Sequence, residues 1–445
     1  MQDLEPAETI NPEVDGSYDA IVLGAGITGL VSASILLQQG CQRVVIADQY
    51  AHVGGNHIDV AVGGYTFDVG SFIFQDDSPL LRHFPELLAL YEPIYPTWGR
   101  LNPQGKVTAY PISIRDDIIA AGPVGMLRIF GSAAYARLFQ RRMTNAREFA
   151  RYWIGGHLLF RSGLETYMER FYGVSPDRID IELAQKRMLW ISEHASIANL
   201  VRRLLRPAPS GPANQQMARP KAGFAHLYQA ARERLERRGA TFLLGDKLSA
   251  LGKQDGQFQL RIGDRTVSAP RAVSTIPLNH ATELCGHKSP APLQSITLVS
   301  LFFSFAGRRG FDQSVLYNFS HQGAWKRITV YSDFYGRTND REYFTVEVIG
   351  KPQDNSIPDE EAAFRAHVLA NNLFVGDLKL EGSFILDNAY PIYAKGSSEQ
   401  AAAAIRSLKA MGIESFGRQG GFDYQPTARV STQEAESALG MKRLP

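Results

Sequence analysis

The junction at residues 18–29 restricts this chain more than any other stretch. There an apolar run, Ala20-Ile-Val-Leu, leads into Gly24-Ala-Gly26-Ile-Thr-Gly29. The pattern predicts a strand, a tight turn and a helix. The first glycine permits the turn, the second lets backbone approach a pyrophosphate, and the third lets the helix pack closely on the strand. A helix opening at Ile27 and Thr28 aims unpaired N–H groups and the positive end of its dipole at phosphates. A second apolar strand, Arg43-Val-Val-Ile-Ala-Asp48, ends on a carboxylate nineteen residues beyond Gly29. A carboxylate there accepts hydrogen bonds from an adenosine ribose. Together these features predict a dinucleotide-binding unit built on a parallel sheet.

The residues that follow narrow the choice of dinucleotide. Gly54-Gly55-Asn56 comes directly after the acidic residue, and Tyr65-Thr-Phe-Asp68-Val-Gly70-Ser71 comes next. This stretch resembles the flavin amine oxidase superfamily, which includes monoamine oxidases, protoporphyrinogen oxidases, phytoene desaturases and UDP-galactopyranose mutases. Further blocks continue the resemblance in family order: Arg219-Pro-Lys-Ala-Gly223-Phe, Ser274-Thr275-Ile-Pro277 and Ser415-Phe-Gly417-Arg418. The resemblance implies an α/β fold: a Rossmann-like, three-layer FAD-binding domain with a parallel sheet, carrying inserted helical and α+β substrate domains. The FAD-binding domain is expected to be discontinuous, over residues 1–71, 219–289 and 412–445. Residues 72–218 then form a mainly helical insertion, and residues 290–411 a β-rich, substrate-binding one.

On the same resemblance, FAD is held by Gly24, Gly26, Ile27, Thr28, Gly29 and Asp48 at the first turn. Gly54, Gly55, Asn56, Gly70 and Ser71 follow, then Leu248, Thr275, Gly417 and Arg418 from distant parts of the chain. The Gly417-Arg418 pair is expected at the pyrophosphate. A capping-box pattern at Ser431-Thr-Gln-Glu predicts a helix starting there, and the resemblance implies that its N-terminus points at the flavin ring. Neither Cys41 nor Cys285 lies near the C-terminal region where some relatives tether their flavin, so FAD is expected to be non-covalent. Flavin N5 carries the chemistry, and no protein-side catalytic residue is assigned.

Two activities compete. One is an oxidoreductase passing hydride from a small-molecule substrate to the flavin. The segment from Ser295 that aligns with the lysine of amine oxidases has no lysine, so simple amine oxidation fits poorly. The other is a nucleotide-sugar mutase using reduced FAD. Gly54-Gly55-Asn56, Gly70-Ser71-Phe72-Ile-Phe74, Tyr167–Gly173, Lys186-Arg187 and Lys326-Arg327-Ile328 resemble mutase blocks. Two arginines that clamp the diphosphate in mutases are missing: Trp190 and Ile191 stand where one is expected, and none precedes Ser295. Arg202-Arg203-Leu-Leu-Arg206 and the Pro-Gly-rich loop after it are the replacements available. The candidate substrate-binding residues are Phe72, Phe74, Arg327, Tyr331 and Tyr390.

Composition sets the remaining bounds. A chain of 445 residues, 44% apolar, has enough material for two or three domains. A net charge of +2 gives no footprint for nucleic acid. Two cysteines without metal or Cys-x-x-Cys spacing suit a reducing compartment. His194, His226, His280 and His321 show no metal-ligand spacing and read as structural or surface residues, so no metal is expected. The first seventeen residues have no apolar signal core, and no uninterrupted apolar stretch reads as long enough to cross a bilayer; the expected location is cytoplasmic. From Ile118 to Arg147 five arginines interleave with apolar residues and no acid intervenes. That stretch reads either as an amphipathic helix packed on a core or as a weak peripheral membrane contact.

Overall fold

The computed structural model describes residues 14–70, 73–140, 142–187, 191, 214–287, 292–350 and 356–441. Ser71, Phe72, Arg141, Trp190, His194 and the segment 202–212 lie outside the described residues, as do the side chains of Lys186 and Arg187.

A five-stranded sheet forms the nucleotide-binding half. Its order is Ala240–Leu244, Val44–Asp48, Ala20–Leu23, Ala272–Ser274 and Ile413–Ser415. Every pairing in it is parallel. Parallel strands covered on both faces should be apolar throughout, and Ala20–Leu23 and Val44–Asp48 are buried at every position. The helix Ile27–Gln38 is buried from Ile27 to Leu37 because helices lie around it. One of these is Ala225–Glu236, which leads into the edge strand Ala240–Leu244. A second, four-stranded sheet, Val14–Ser17, Arg265–Ala269, Gln257–Ile262 and Leu248–Gln254, flanks this core.

The other half is built on a seven-stranded sheet. Its long strands Ser295–Arg309 and Phe374–Pro391 pair antiparallel, and Glu342–Gly350, Trp325–Val330 and Val315–Asn318 follow. Helices 122–187 form a layer whose side chains share a hydrophobic core with the nucleotide half. Two features differ from the expected partition. Trp98–Leu101 and Val107–Ala109, within the segment read as mainly helical, complete the edge of the seven-stranded sheet. The hairpin Ile58–Val62/Tyr65–Val69, read with the nucleotide domain, packs on that same sheet, with Phe67 stacked on Phe302 at 4.8 Å. Alternating side chains in a hairpin seek an apolar partner, and sequence does not say which sheet supplies it.

Candidate active site

Two glycine turns build the floor of a cleft. Gly24 adopts φ +102°, a conformation that disfavours side chains, and its turn closes when Gly24 N–H donates to the Ala47 carbonyl at 2.7 Å. A Cβ on Gly29 would run into the Gly24 carbonyl oxygen, so the helix can begin only with glycine there. The second turn docks on the first: Gly54 N–H donates to the Ala25 carbonyl at 2.9 Å, and a Cβ on Gly54 would come within 2.6 Å of the Tyr228 ring. Backbone therefore lines the cleft where side chains would fill it.

The cleft has a cavity volume of about 120 Å³. Of the residues expected at the cofactor, Gly24, Gly26, Ile27, Thr28, Asp48, Gly54, Gly55, Asn56, Leu248, Thr275 and Arg418 line it. Gly29 and Gly417 act from behind: Gly417, at φ +91°, packs so closely on Thr28 that a Cβ would sit 2.8 Å from its methyl. Gly70 lies elsewhere, with its carbonyl accepting from the Arg327 guanidinium at 2.8 Å. Asp48 is buried and its two oxygens accept the main-chain N–H groups of Ala25 and Tyr50, at 2.7 and 2.9 Å. Each oxygen keeps a lone pair for a ribose hydroxyl. Burial raises this carboxyl above its ordinary value, against those two hydrogen bonds.

Two helix N-termini meet the cleft. Gly26 caps Ile27–Gln38 without a side chain, so nothing from its own cap competes for the first-turn N–H groups. The C-terminal helix spans Ala428–Ala438 and is capped by Thr427, whose hydroxyl accepts from Val430 N–H at 3.4 Å. It starts three residues earlier than the capping-box pattern predicts. Glu434, the acid of that pattern, accepts from Gly417 N–H at 3.3 Å instead, tying the helix to the turn before it. Ala428 and Ser431 line the cleft.

Sequence reasoning missed His57 and placed His280 among structural or surface residues, yet both line the cleft. His57 hydrogen-bonds the Tyr228 hydroxyl, and burial, aided by Arg418, pushes its pKa down to about 4. Nothing local in the sequence marks it, since Tyr228 is brought across from a helix far along the chain. His321 instead stacks on Phe160 and bonds Thr166, and His226 is exposed. Among the described residues no group of three or more His, Cys, Asp or Glu side chains could hold a metal.

A second cavity, of about 350 Å³, shares Arg418 with the cleft. Its walls are aromatic: Tyr110 stacks on Tyr317 at 4.4 Å, and Phe171 meets Tyr424 edge-on at 5.9 Å. Tyr167, Tyr172 and Tyr390 complete the ring. Burial holds the Tyr110, Tyr167 and Tyr424 phenols well above their ordinary range, so they stay protonated and able to donate. The cavity's cations are largely committed. Arg327 pairs with Glu347 as well as Gly70, and Lys326 reaches Glu347 at 3.1 Å. Arg418 donates to the Gln425 carbonyl at 2.7 Å, with its guanidinium 5.6 Å from the Tyr390 ring centre. Only Arg327 Nε, buried, has no hydrogen-bond partner among the described residues.

Of the expected substrate-binding residues, Arg327 and Tyr390 line this cavity. Phe74 does not: it is buried on the far side, stacked on Tyr91 at 4.1 Å. Tyr331 does not either, because its strand end turns it under the hairpin, where its hydroxyl donates to the Asp68 carbonyl at 3.1 Å. Both are core aromatics.

Fold and site together define a Rossmann-like dinucleotide-binding protein with a roofed aromatic cavity against the nucleotide cleft. A family model for NAD(P)-binding Rossmann-like domains matches residues 22–86. The chloroplastic prolycopene isomerase of Daucus carota is 40% identical over 72 residues, which are 16% of this chain and 12% of that protein. Over the whole chain the likeness is structural. Reduced UDP-galactopyranose mutase superposes with a TM-score of 0.75 at 17% identity, covering 96% of both chains. A protein from Exiguobacterium, described as a protoporphyrinogen oxidase, gives 0.69 at 15% identity, covering 95% of this chain and 98% of that one. The fold is shared with both of these solved structures along nearly the whole chain.

Proposed function

We propose that this protein is an FAD-dependent oxidoreductase acting on a largely apolar small molecule. The observation that carries the reading is the aromatic cavity adjoining the dinucleotide cleft at Arg418, with no carboxylate and no histidine among its lining residues. A cavity so lined offers no general base near neutral pH, which leaves the chemistry to a cofactor. Bound FAD would supply a hydride acceptor at N5. The chain's own part is to hold and orient. Asp48 would take the ribose, and the turn Gly24–Thr28 would present backbone N–H groups to the pyrophosphate. The N-terminus of Ala428–Ala438 brings a positive dipole end that stabilises negative charge in the cleft. The tyrosine ring excludes water and donates hydrogen bonds through protonated phenols.

A nucleotide-sugar mutase is the second reading. The tyrosine-rich cavity containing Lys326 and Arg327, on a fold shared at whole-chain length with reduced UDP-galactopyranose mutase, favours it. Against it, Glu347 pairs with both Lys326 and Arg327, so a diphosphate would have to compete with a buried carboxylate. A UDP titration of the purified flavoprotein, read in its visible spectrum, separates the two. Indifference to UDP, with anaerobic bleaching of the flavin band by apolar hydride donors, supports the oxidoreductase. A saturable UDP perturbation moves the assignment to the mutase. A colourless protein unable to take up added FAD overturns both.

A further inference from the structure

The helix Gly122–Phe139 presents its apolar side to solvent. Val124, Leu127, Tyr135, Leu138 and Phe139 are each between 65 and 74% exposed, whereas only Ile129 and Ala136 of this helix are buried. The exposed positions recur at spacings of three, four, eight and eleven, which puts them on one stripe. Exposed Arg128 lies within the stripe, and exposed Arg142 lies three residues beyond the helix end. With the short turns preceding it, Ile114–Phe139 is a 26-residue helical stretch containing an 18-residue window of mean hydropathy 1.3, by length and composition enough to cross a membrane. The sequence expectation concerned uninterrupted apolar runs, and Arg128 interrupts this one. Ile129 packs into the hydrophobic core, as expected of a helix lying on a core, but the outward stripe is apolar as well.

The helix is fastened to the body. Ser132 Oγ accepts from His157 N–H at 3.0 Å, and a Cβ on Gly155 would come within 2.8 Å of the Ala133 backbone. The neighbouring helix Gly156–Arg161 adds Phe160, 60% exposed, and lies against Leu164–Tyr172, which walls the aromatic cavity. A helix so held lies on a membrane rather than spanning it.

We propose that this stripe docks the protein on an anionic bilayer surface. An exposed apolar patch of this kind marks a binding surface, and its charge selects the occupant. Residues 118–147 contain no acidic residue, while the chain as a whole has a net charge of only +2, so the positive charge is local. A second copy docked by the same face would bring the positive charges of Arg128 and Arg142 from both copies into one interface with no acidic residue of 118–147 to meet them, which disfavours self-association. Anionic headgroups accept the arginines while the leucines and aromatic rings enter the acyl boundary.

The test is flotation of the full-length protein with vesicles of phosphatidylcholine alone or mixed equally with phosphatidylglycerol. Binding is expected to the mixed vesicles, weakened by salt, and little to the neutral ones. Leu127→Glu combined with Leu138→Glu should abolish binding with the melting temperature unchanged. If that pair lowers the melting temperature, Arg128→Gln with Arg142→Gln serves instead, and should weaken binding about 30-fold. No flotation with anionic vesicles at low salt, or equal binding to both compositions, overturns the proposal. So does a concentration-dependent dimer that the glutamate pair dissolves in the absence of lipid binding.

Discussion

At Gly29 one hydrogen atom separates a working turn from a blocked one. Its Cβ position coincides with the Gly24 carbonyl oxygen, a backbone group with no freedom to move aside. Gly29→Ala should therefore destabilise the fold by about 1–3 kcal/mol and leave protein without FAD after purification. Denaturant melts together with the absorbance ratio of flavin to protein check this; a yellow variant of unchanged stability would refute it. His57 offers a second check at the same scale. With its folded pKa pushed down to about 4, it is neutral at pH 7 and hydrogen-bonded to Tyr228. The unfolded chain, with an ordinary histidine value of about 6.5, takes up the proton first. Stability contributed at His57 is thus full above pH 6.5 and falls as the pH drops towards 4. NMR titration of the His57 ring should give a midpoint far below the ordinary histidine value of about 6.5, and a midpoint near that value would refute the burial.

Among elements, the hairpin at 58–69 is the joint between the two halves, and one ion pair holds it. Arg219 pairs with Asp68, both fully buried, and also donates to the Thr66 carbonyl at 2.9 Å and the Pro220 carbonyl at 2.7 Å. Asp68 keeps the guanidinium charged despite its burial. Removing one partner strands the other charge in a dry site. Arg219→Met should cost about 3–5 kcal/mol, and adding Asp68→Leu should recover much of the loss. A chemical-denaturation cycle measures this, and full additivity of the two changes would contradict the coupling. The C-terminal helix shows the limits of local signals: Ser431-Thr-Gln-Glu fits a capping box, yet Thr427 caps the helix and Glu434 serves the Gly417 turn. Cap chemistry is satisfied by whichever backbone N–H arrives, and that depends on the neighbouring turn.

For the whole molecule, the cleft draws on both chain ends and on strands in between, so a dinucleotide bound there ties together segments some 400 residues apart. Added FAD should raise the melting temperature of apoprotein, by an amount equivalent to about 2.7 kcal/mol at a hundredfold excess over Kd. Differential scanning fluorimetry checks it; the shift should vanish in Gly29→Ala, and an equal shift there would point to non-specific binding.

The dinucleotide site was legible from local sequence because its demands are local. Gly24, Gly26 and Gly29 fix one turn, Asp48 ends the next strand, and the Gly54-Gly55 pair docks on the first turn by backbone alone. Such constraints fall within a few dozen residues and admit only one residue type at each position. The aromatic cavity obeys no such rule. Tyr110, Tyr167, Tyr317, Tyr390 and Tyr424 come from different strands, loops and helices, and any of them reads in sequence as an ordinary core residue. Packing alone separates them from Phe74 and Tyr331, which look the same in sequence and lie buried elsewhere. The helix Gly122–Phe139 shows the same division from outside: its apolar and basic composition is written in the sequence, but only the tertiary fold turned that face to solvent. Backbone geometry is dictated by the residues that adopt it, whereas the direction a side chain faces is decided by what the rest of the chain packs against it.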